Sequence, residues 1–289
     1  MGQVERSTTR KNRCFLFAAY YSNNRVDEYD IYHLKKLSEL GDVFYFVDAA
    51  DFPEKELDRV RQHVKFAGFE KHNEYDFGSW KRLISKVGLN ELSSYREIVT
   101  VNNSSILVGD IAPCFTEFEK SNALFGALLL LDEHYIGPVA CLSDYIANHN
   151  VLIESAMFPS SFWIFRQELF IQPFVQNFFS TVRTHVDRLA VCYLYERGFS
   201  RSIFRHAVEY HVFIDKVFNN SVIYTPDAFE LVYAGYPYIK RKVFSQTYYK
   251  VDFLDSRLIK LIKNAPTEAA LLLENHLVNC EALAERVGQ

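Results

Sequence analysis

Cys14–Tyr21, read CFLFAAYY, is the stretch that decides the fold. It carries no charge and closes on Ser22-Asn23-Asn24, the pattern of a strand buried on both faces and followed by a turn. Downstream, Asp27–Asp30 place acidic residues in a first helical turn, Ile31, Leu34, Leu37 and Leu40 recur at helical spacing, and Gly41 ends the run. Val43–Val47 then predicts a second strand ending at Asp48. The segment AADFPEKELDRVRQ restarts a helix with Pro53 near its first turn, and Val64–Phe69 reads as a short third strand. Strand and helix alternating in this way imply a parallel sheet with right-handed crossovers. Ligands of such sheets sit at the carboxyl ends of the strands, so Tyr20, Tyr21, Asp48 and Asn73–Ser79 are expected along one edge.

Asn73–Lys81, NEYDFGSWK, sets an amide, a carboxylate, a glycine and a hydroxyl ahead of the amphipathic run Trp80, Leu83, Ile84 and Val87. It reads as a loop feeding a helix N-terminus, where unpaired N–H groups and a partial positive charge attract anions. Asp76 suits a base or ribose hydroxyl better than a phosphate. An ordinary capped helix, with Gly78 relaxing the turn, fits the same residues. Ile98–Val101 predicts a fourth strand, closed by Asn102-Asn103-Ser104-Ser105. Such residues form turns, but their place beside the other strand ends also makes them site candidates.

The rest of the chain is less regular. Phe115–Leu131 is expected to be helical, Tyr135–Cys141 a strand, and Asp144–Met157 a helix or loop. Ser160–Phe165 predicts a strand, followed by a helix over Arg166–Val182 that Pro173 interrupts. Over His185–Arg197 a helix would carry Val186, Leu189, Ala190, Tyr193 and Leu194 on one face and end at Gly198. Asp187 lies near its first turn, where a carboxylate complements the helix dipole. Tyr236–Lys250 interleaves Lys240, Arg241, Lys242 and Lys250 with aromatics, as expected of a phosphate site, of contact with an anionic membrane face, or of a solvated face. From Asp255 an amphipathic helix breaks at Pro266, and Leu271–Leu273 suit packing on the domain or on a second copy in a homo-oligomer. The expected organisation is a flexible N-terminus over 1–12, one α/β domain over 13–250 and a helical extension over 251–289.

Composition narrows the classes of function. Hydrophobic residues make up 49% and charged residues 24% of the 289, ample for a core. A net charge of −4 argues against a general nucleic-acid binder. Five scattered cysteines without a CxxC pair suit free thiols in a reducing compartment. The polar start MGQVERSTTRKNR lacks an apolar signal core, and no run approaches the ~18 apolar residues of a membrane span. A cytoplasmic protein, or one peripheral to the inner face of a membrane, is expected. Phosphate loops of the GxxxxGK[ST] type, a GxGxxG after the first strand, the GxSxG elbow and the HExxH helix are all absent, and the nine histidines are dispersed.

Four segments in order resemble the rhamnan synthesis F family of bacterial polysaccharide glycosyltransferases. They are NEYDFGSWK at 73–81, Asn102-Asn103-Ser104, SSFWIFR at 160–166, and Pro237-Tyr238-Ile239-Lys240 after Thr225-Pro226. The resemblance implies a GT-A-like, Rossmann-type, mostly parallel sheet flanked by helices, with a helical C-terminal region. It implies transfer of rhamnose or another hexose or deoxyhexose from a nucleoside-diphosphate sugar to a glycan or lipid-linked oligosaccharide during O-antigen, capsule or cell-wall assembly. Carried over by position, Tyr20, Asn73, Asp76, Gly78, Ser79, Asn102, Asn103, Ser104 and Lys240 would contact the donor. Asp76 would be the main contact, and Lys240 would steady the departing diphosphate. Asp187 would be the general base. The family pattern has Asn-Asp-Ser where this chain has Asn102-Asn103-Ser104, so the carboxylate expected to hold Mg²⁺ or Mn²⁺ is missing. Asp110 and Asp132 are the remaining candidates for it. The alternative from another class is a non-catalytic nucleotide-sugar-binding or glycan-assembly module, with Asn103 marking lost chemistry.

Overall fold

The computed structural model describes residues 11–134, 141–148, 155–185, 187–244 and 256–287. In chain order the strands are β1 (Lys11–Ala19), β2 (Asp42–Val47), β3 (Phe66–Phe69), β4 (Tyr95–Asn102), β5 (Ser105–Leu107), β6 (Phe125–Ala127), β7 (Leu130–Asp132), β8 (Ala156–Met157), β9 (Phe162–Arg166), β10 (Tyr210–Val212), β11 (Val217–Phe218) and β12 (Tyr238–Lys240). Helices α1 (Glu28–Ser38), α2 (Glu54–Arg61) and α3 (Tyr75–Val87) follow the first three strands. The main sheet has the order β10-β6-β9-β4-β1-β2-β3, with β9 antiparallel to both neighbours and every other pairing parallel. This is the mostly parallel, helix-flanked architecture that the sequence predicts.

The alternation within β1 explains why the sheet is buried on both sides. Phe15, Phe17 and Ala19 enter one core cluster, while Cys14, Leu16 and Ala18 enter the other. The two faces of β2 divide likewise, Val43, Tyr45 and Val47 against Phe44 and Phe46. A strand covered on both faces has no polar side to show, hence the unbroken apolar run. Trp80 locks α3 onto the sheet: it is fully buried, and its indole N–H is shared between the carbonyls of Leu16 (3.0 Å) and Val101 (3.2 Å). The chain leaves β1 toward β2 on one side and returns to β4 on the other, so a crevice opens past the ends of β1 and β4.

Several segments depart from the sequence-based expectation. Phe115–Leu131 is not one helix: it stops at Lys120, and β6 and β7 follow. FGALLLL sends Phe125, Ala127 and Leu130 into one core cluster and Leu128, Leu129 and Leu131 into the other, and a continuous apolar run has no period to tell strand from buried helix. The segment after His185 is not a regular helix ended by glycine. A short helix over Arg188–Val191 widens into a π-helical turn over Cys192–Arg197, and Gly198, at φ −58°, continues into a helix reaching Arg205. The wide turn shifts the buried face to Val191, Tyr195, Phe199 and Ile203, leaving Leu189, Tyr193 and Leu194 more than half exposed. The helix expected from Trp80 begins already at Tyr75, so Asp76, Gly78 and Ser79 belong to its first turns. Leu142–Asn148 is helical and β8 occupies Ala156–Met157, while most of the strand expected over Tyr135–Cys141 lies outside the described residues. Lys250 and residues 1–10 of the flexible terminus expected over 1–12 lie outside them as well, while Lys11 and Asn12 belong to β1. Pro173 opens a second helix, Pro173–Ser180, after the short Gln167–Phe170.

Near the C-terminus, Ser256–Asn264 and Thr267–Val287 are helical, and Leu258, Leu261, Leu273 and Leu277 share a core cluster with Tyr29, Phe229 and Ile239. No helix among the described residues is long and apolar enough to cross a membrane. Replacing Trp80 with Ala removes a large buried side chain, and a loss of about 3–5 kcal/mol is expected in urea unfolding; an unchanged midpoint contradicts the role given to Trp80.

Candidate active site

The crevice at the ends of β1 and β4 holds a cavity of about 640 Å³. Three consecutive residues at the end of β4 organise its floor. Side chains alternate there, so Asn102 and Asn103 face opposite layers. Asn102 donates from Nδ2 to Asp76 Oδ2 (2.7 Å) on α3, and its Oδ1 accepts from the Ser104 N–H (3.1 Å) and hydroxyl (2.6 Å). Ser104 Oγ in turn accepts from Lys240 Nζ (2.7 Å). Asp76, Asn102, Ser104 and Lys240 therefore form one hydrogen-bonded chain along the cavity wall.

Lys240 is more than a hundred residues from Ser104, and a two-stranded ribbon brings it there. β12 pairs antiparallel with β5 in the register Tyr238↔Leu107, Ile239↔Ile106 and Lys240↔Ser105. Burial lowers the Lys240 pKa, and the carboxylates of Glu196 and Asp76 oppose that shift. Burial likewise raises Asp76 to about 6, against the pull of Lys240.

Asn103 works on the other layer. Its Oδ1 accepts from the Tyr20 N–H (3.3 Å), and its Nδ2 donates to the Tyr20 carbonyl (3.2 Å) and to Asp30 Oδ2 (3.2 Å). Asp30 is fully buried on α1 and also accepts from the Tyr21 hydroxyl (2.8 Å). Burial pushes Asp30 up to about 7. A carboxylate at position 103 would lose both donated bonds and face Asp30, so the amide has a structural reason to be there.

The loop after β3 forms one rim of the cavity, at the stretch from which the sequence led us to expect donor contacts. The Asp48 carboxylate accepts from the backbone N–H of His72 (3.0 Å) and Asn73 (3.2 Å), and Lys71 pairs with it (3.3 Å). Asn73 and Tyr75 both have φ of 55°, a conformation that costs a non-glycine residue about 1–3 kcal/mol and gathers at functional sites. Asn73, Tyr75, Asp76 and the exposed Tyr20 line the cavity. Gly78 and Ser79 lie behind the rim. A Cβ at Gly78 would meet Glu74 Cβ at 2.4 Å and His72 Nδ1 at 2.5 Å, and Ser79 Oγ is 3.0 Å from His72 Nε2. Their place is to seat the loop on α3.

Asp187 is exposed and does not itself line the cavity, although His185 and Arg188 do; its Oδ1 accepts from the Leu189 N–H (2.8 Å), so it caps the short helix. The acid that this segment presents to the cavity is Glu196, inside the π-helical turn. Ser160 N–H donates to its Oε1 (2.5 Å) and fixes its orientation. Sequence reading missed Glu196 because a regular helix gives it no special place; its one signal is a charged pair, Glu196-Arg197, in an apolar run. Lys71, Arg188, Lys240, Arg241 and Lys242 also line the cavity, against Asp48, Asp76 and Glu196.

Mg²⁺ or Mn²⁺ needs about six oxygen ligands, carboxylates foremost. Among the described residues no group of three His, Cys, Asp or Glu is placed to hold a metal. The side-chain oxygens of Asn102, Asn103 and Ser104 already face N–H or O–H donors. Asp110 caps the Ala112 N–H (2.9 Å), and the buried Asp132 binds the His134 N–H (2.9 Å) and the Tyr145 hydroxyl; neither lines the cavity. The residues present do not fit a hard divalent cation.

Two outcomes test this geometry. Asn103→Asp is expected to lose about 3 kcal/mol or more in urea unfolding at pH 7.5, and wild-type stability contradicts the clamp. Asp30 titrates near 7 when folded and near 4 when unfolded. The folded chain thus keeps a proton that the unfolded chain releases, and stability from this group falls as pH rises from about 4 to 7. Asp30→Asn removes that fall, so its stability relative to wild type should improve across the window; a constant difference contradicts the assignment.

The family model described as rhamnan synthesis protein F matches residues 50–286. No curated protein matches the chain. Looser likenesses of shape extend to core-mannan synthase A from Aspergillus fumigatus in its Mn/GDP form, at 15% identity and TM-score 0.40, covering 72% of this chain and 74% of that one. The mannosyltransferase Ktr4p from S. cerevisiae in complex with GDP follows at 12% identity and TM-score 0.42, covering 72% and 71%. TarS residues 1–349 from S. aureus in complex with UDP give 11% identity and TM-score 0.40, covering 92% and 69%. With most of its length matched, from the helix after β2 through the C-terminal helices, the chain belongs to the rhamnan synthesis protein F family of glycosyltransferases.

Proposed function

We propose that this chain transfers rhamnose, or another hexose or deoxyhexose, from a nucleoside-diphosphate donor to a growing bacterial surface polysaccharide. The observation that carries this reading is the chain of hydrogen bonds from Asp76 through Asn102 and Ser104 to Lys240, facing Glu196 across one cavity. The arrangement provides a hydroxyl acceptor in Asp76, a cation in Lys240 and a carboxylate base in Glu196. Tyr20 and the rim at Asn73 and Asp76 take the nucleoside, and Lys240 meets the diphosphate.

Glu196 then removes the proton from an acceptor hydroxyl, whose oxygen bonds to the anomeric carbon as the bond to the diphosphate oxygen breaks. The leaving group departs with the bonding electrons. The ammonium of Lys240 stabilises that charge in a site where its hydrogen bond to Ser104 fixes it beforehand. Ser160 holds one oxygen of Glu196, and the other makes no hydrogen bond within the described residues, so it is available to the acceptor.

Turnover of a panel of nucleoside-diphosphate sugars tests the assignment. Glu196→Gln is expected to lower kcat by about 10²–10⁴ while donor binding persists. Asp187→Asn, which loses only a helix cap, is expected to stay within about threefold of wild type. The reverse ranking of the two variants returns the base to Asp187, and a panel without turnover leaves a binding module.

A further inference from the structure

Oxygen and charge around Lys240 point to how the site handles phosphate. At the end of β4, the Asn102 side-chain oxygen accepts from Ser104 twice, and the Asn103 oxygen accepts from the Tyr20 N–H. The Ser104 hydroxyl oxygen accepts from Lys240. Each of these oxygens therefore faces a proton, where a bound cation would need a lone pair. The position next to them is taken by an ammonium group.

The charge on the wall agrees. Lys71 is paired with Asp48, and Arg241 donates to Asp27 Oδ2 (2.9 Å) and to the Asn103 carbonyl (3.3 Å). Over the whole lining, the five cations Lys71, Arg188, Lys240, Arg241 and Lys242 stand against the three carboxylates of Asp48, Asp76 and Glu196. A wall that carries a divalent ion has an excess of carboxylate to neutralise it; this wall has an excess of cation. Arg188 opens its short helix, Lys242 follows β12 through a 3₁₀ turn, and Lys240 ends β12, so these three cations come from two separate parts of the chain.

We infer that the donor diphosphate is bound without a divalent metal, with Lys240, held on Ser104, in the place that the ion would take. This rests on the reading of the cavity as the donor site. It gives the ribbon of β5 and β12 a purpose: its register delivers a fixed cation to the strand end instead of recruiting one from solution. It also gives Asn103 a second consequence. The amide that closes the crevice against Asp30 removes the carboxylate a metal would use, and Lys240 supplies the charge.

Isothermal titration of the full chain with UDP, GDP and dTDP, in EDTA and again in excess MnCl₂ or MgCl₂, tests the inference. For whichever nucleotide binds, affinity is expected to agree within about threefold between the two conditions. Lys240→Met should weaken binding at least about tenfold in both conditions, and Lys240→Arg should recover most of it. Binding that appears only with metal overturns the inference and leaves the donor-site reading intact. Absence of binding in every condition overturns both. If Lys240→Met does not fold, the wild-type comparison with and without chelator still decides between these outcomes.

Discussion

The structure depends on the alternation of side chains at the end of β4. A strand sends successive residues to opposite faces, so Asn102 and Asn103 reach different layers from adjacent positions. Asn102 ties the sheet to α3 through Asp76, and Asn103 ties it to α1 through Asp30 and to β1 through the backbone of Tyr20. Both amides spend their donors and acceptors on this closure. The cavity is therefore bounded by groups whose orientation is fixed before any ligand arrives. Such preorganisation is what makes a hydrogen bond or a cation effective against developing charge.

Burial supplies the second ingredient. Asp30, Asp76 and Lys240 all sit where desolvation disfavours their charged forms, and each is offset by a specific partner. Asp30 has Asn103 and Tyr21, while Asp76 has Asn102 and the nearby Lys240. The rim adds conformational cost in Asn73 and Tyr75, held by the Asp48 carboxylate across the backbone of His72 and Asn73. The stability spent on these groups comes from the two core clusters on either face of β1, β2 and β4.

Much of this was legible in the chain. CFLFAAYY and VFYFV are unambiguous because a central parallel strand must be apolar on both faces, and Asn102–Ser104 stand out because they close such a strand with polar groups. Lys240 became a candidate through its motif, since nothing local shows that β12 would pair with β5 and bring it to the cavity. The reading failed where local pattern carries no period. FGALLLL is equally apolar as helix or strand, and the partners that make it strand, β9 and β10, lie far along the chain. Glu196 was not singled out because it sits in a π-helical turn, beside Tyr195 and Phe199 of the core cluster, and residue spacing does not show such a turn. Asp187, ahead of that turn, caps the short helix over Arg188–Val191.

A co-crystal structure with a nucleoside diphosphate tests the central claim most directly. The account predicts the diphosphate within hydrogen-bond distance of Lys240 Nζ, the ribose or base against Asp76 and Tyr20, and the Asn103 amide still bonded to Tyr20 and Asp30. A nucleotide bound elsewhere on the chain, or one seated here with its phosphates turned away from Lys240, would contradict it.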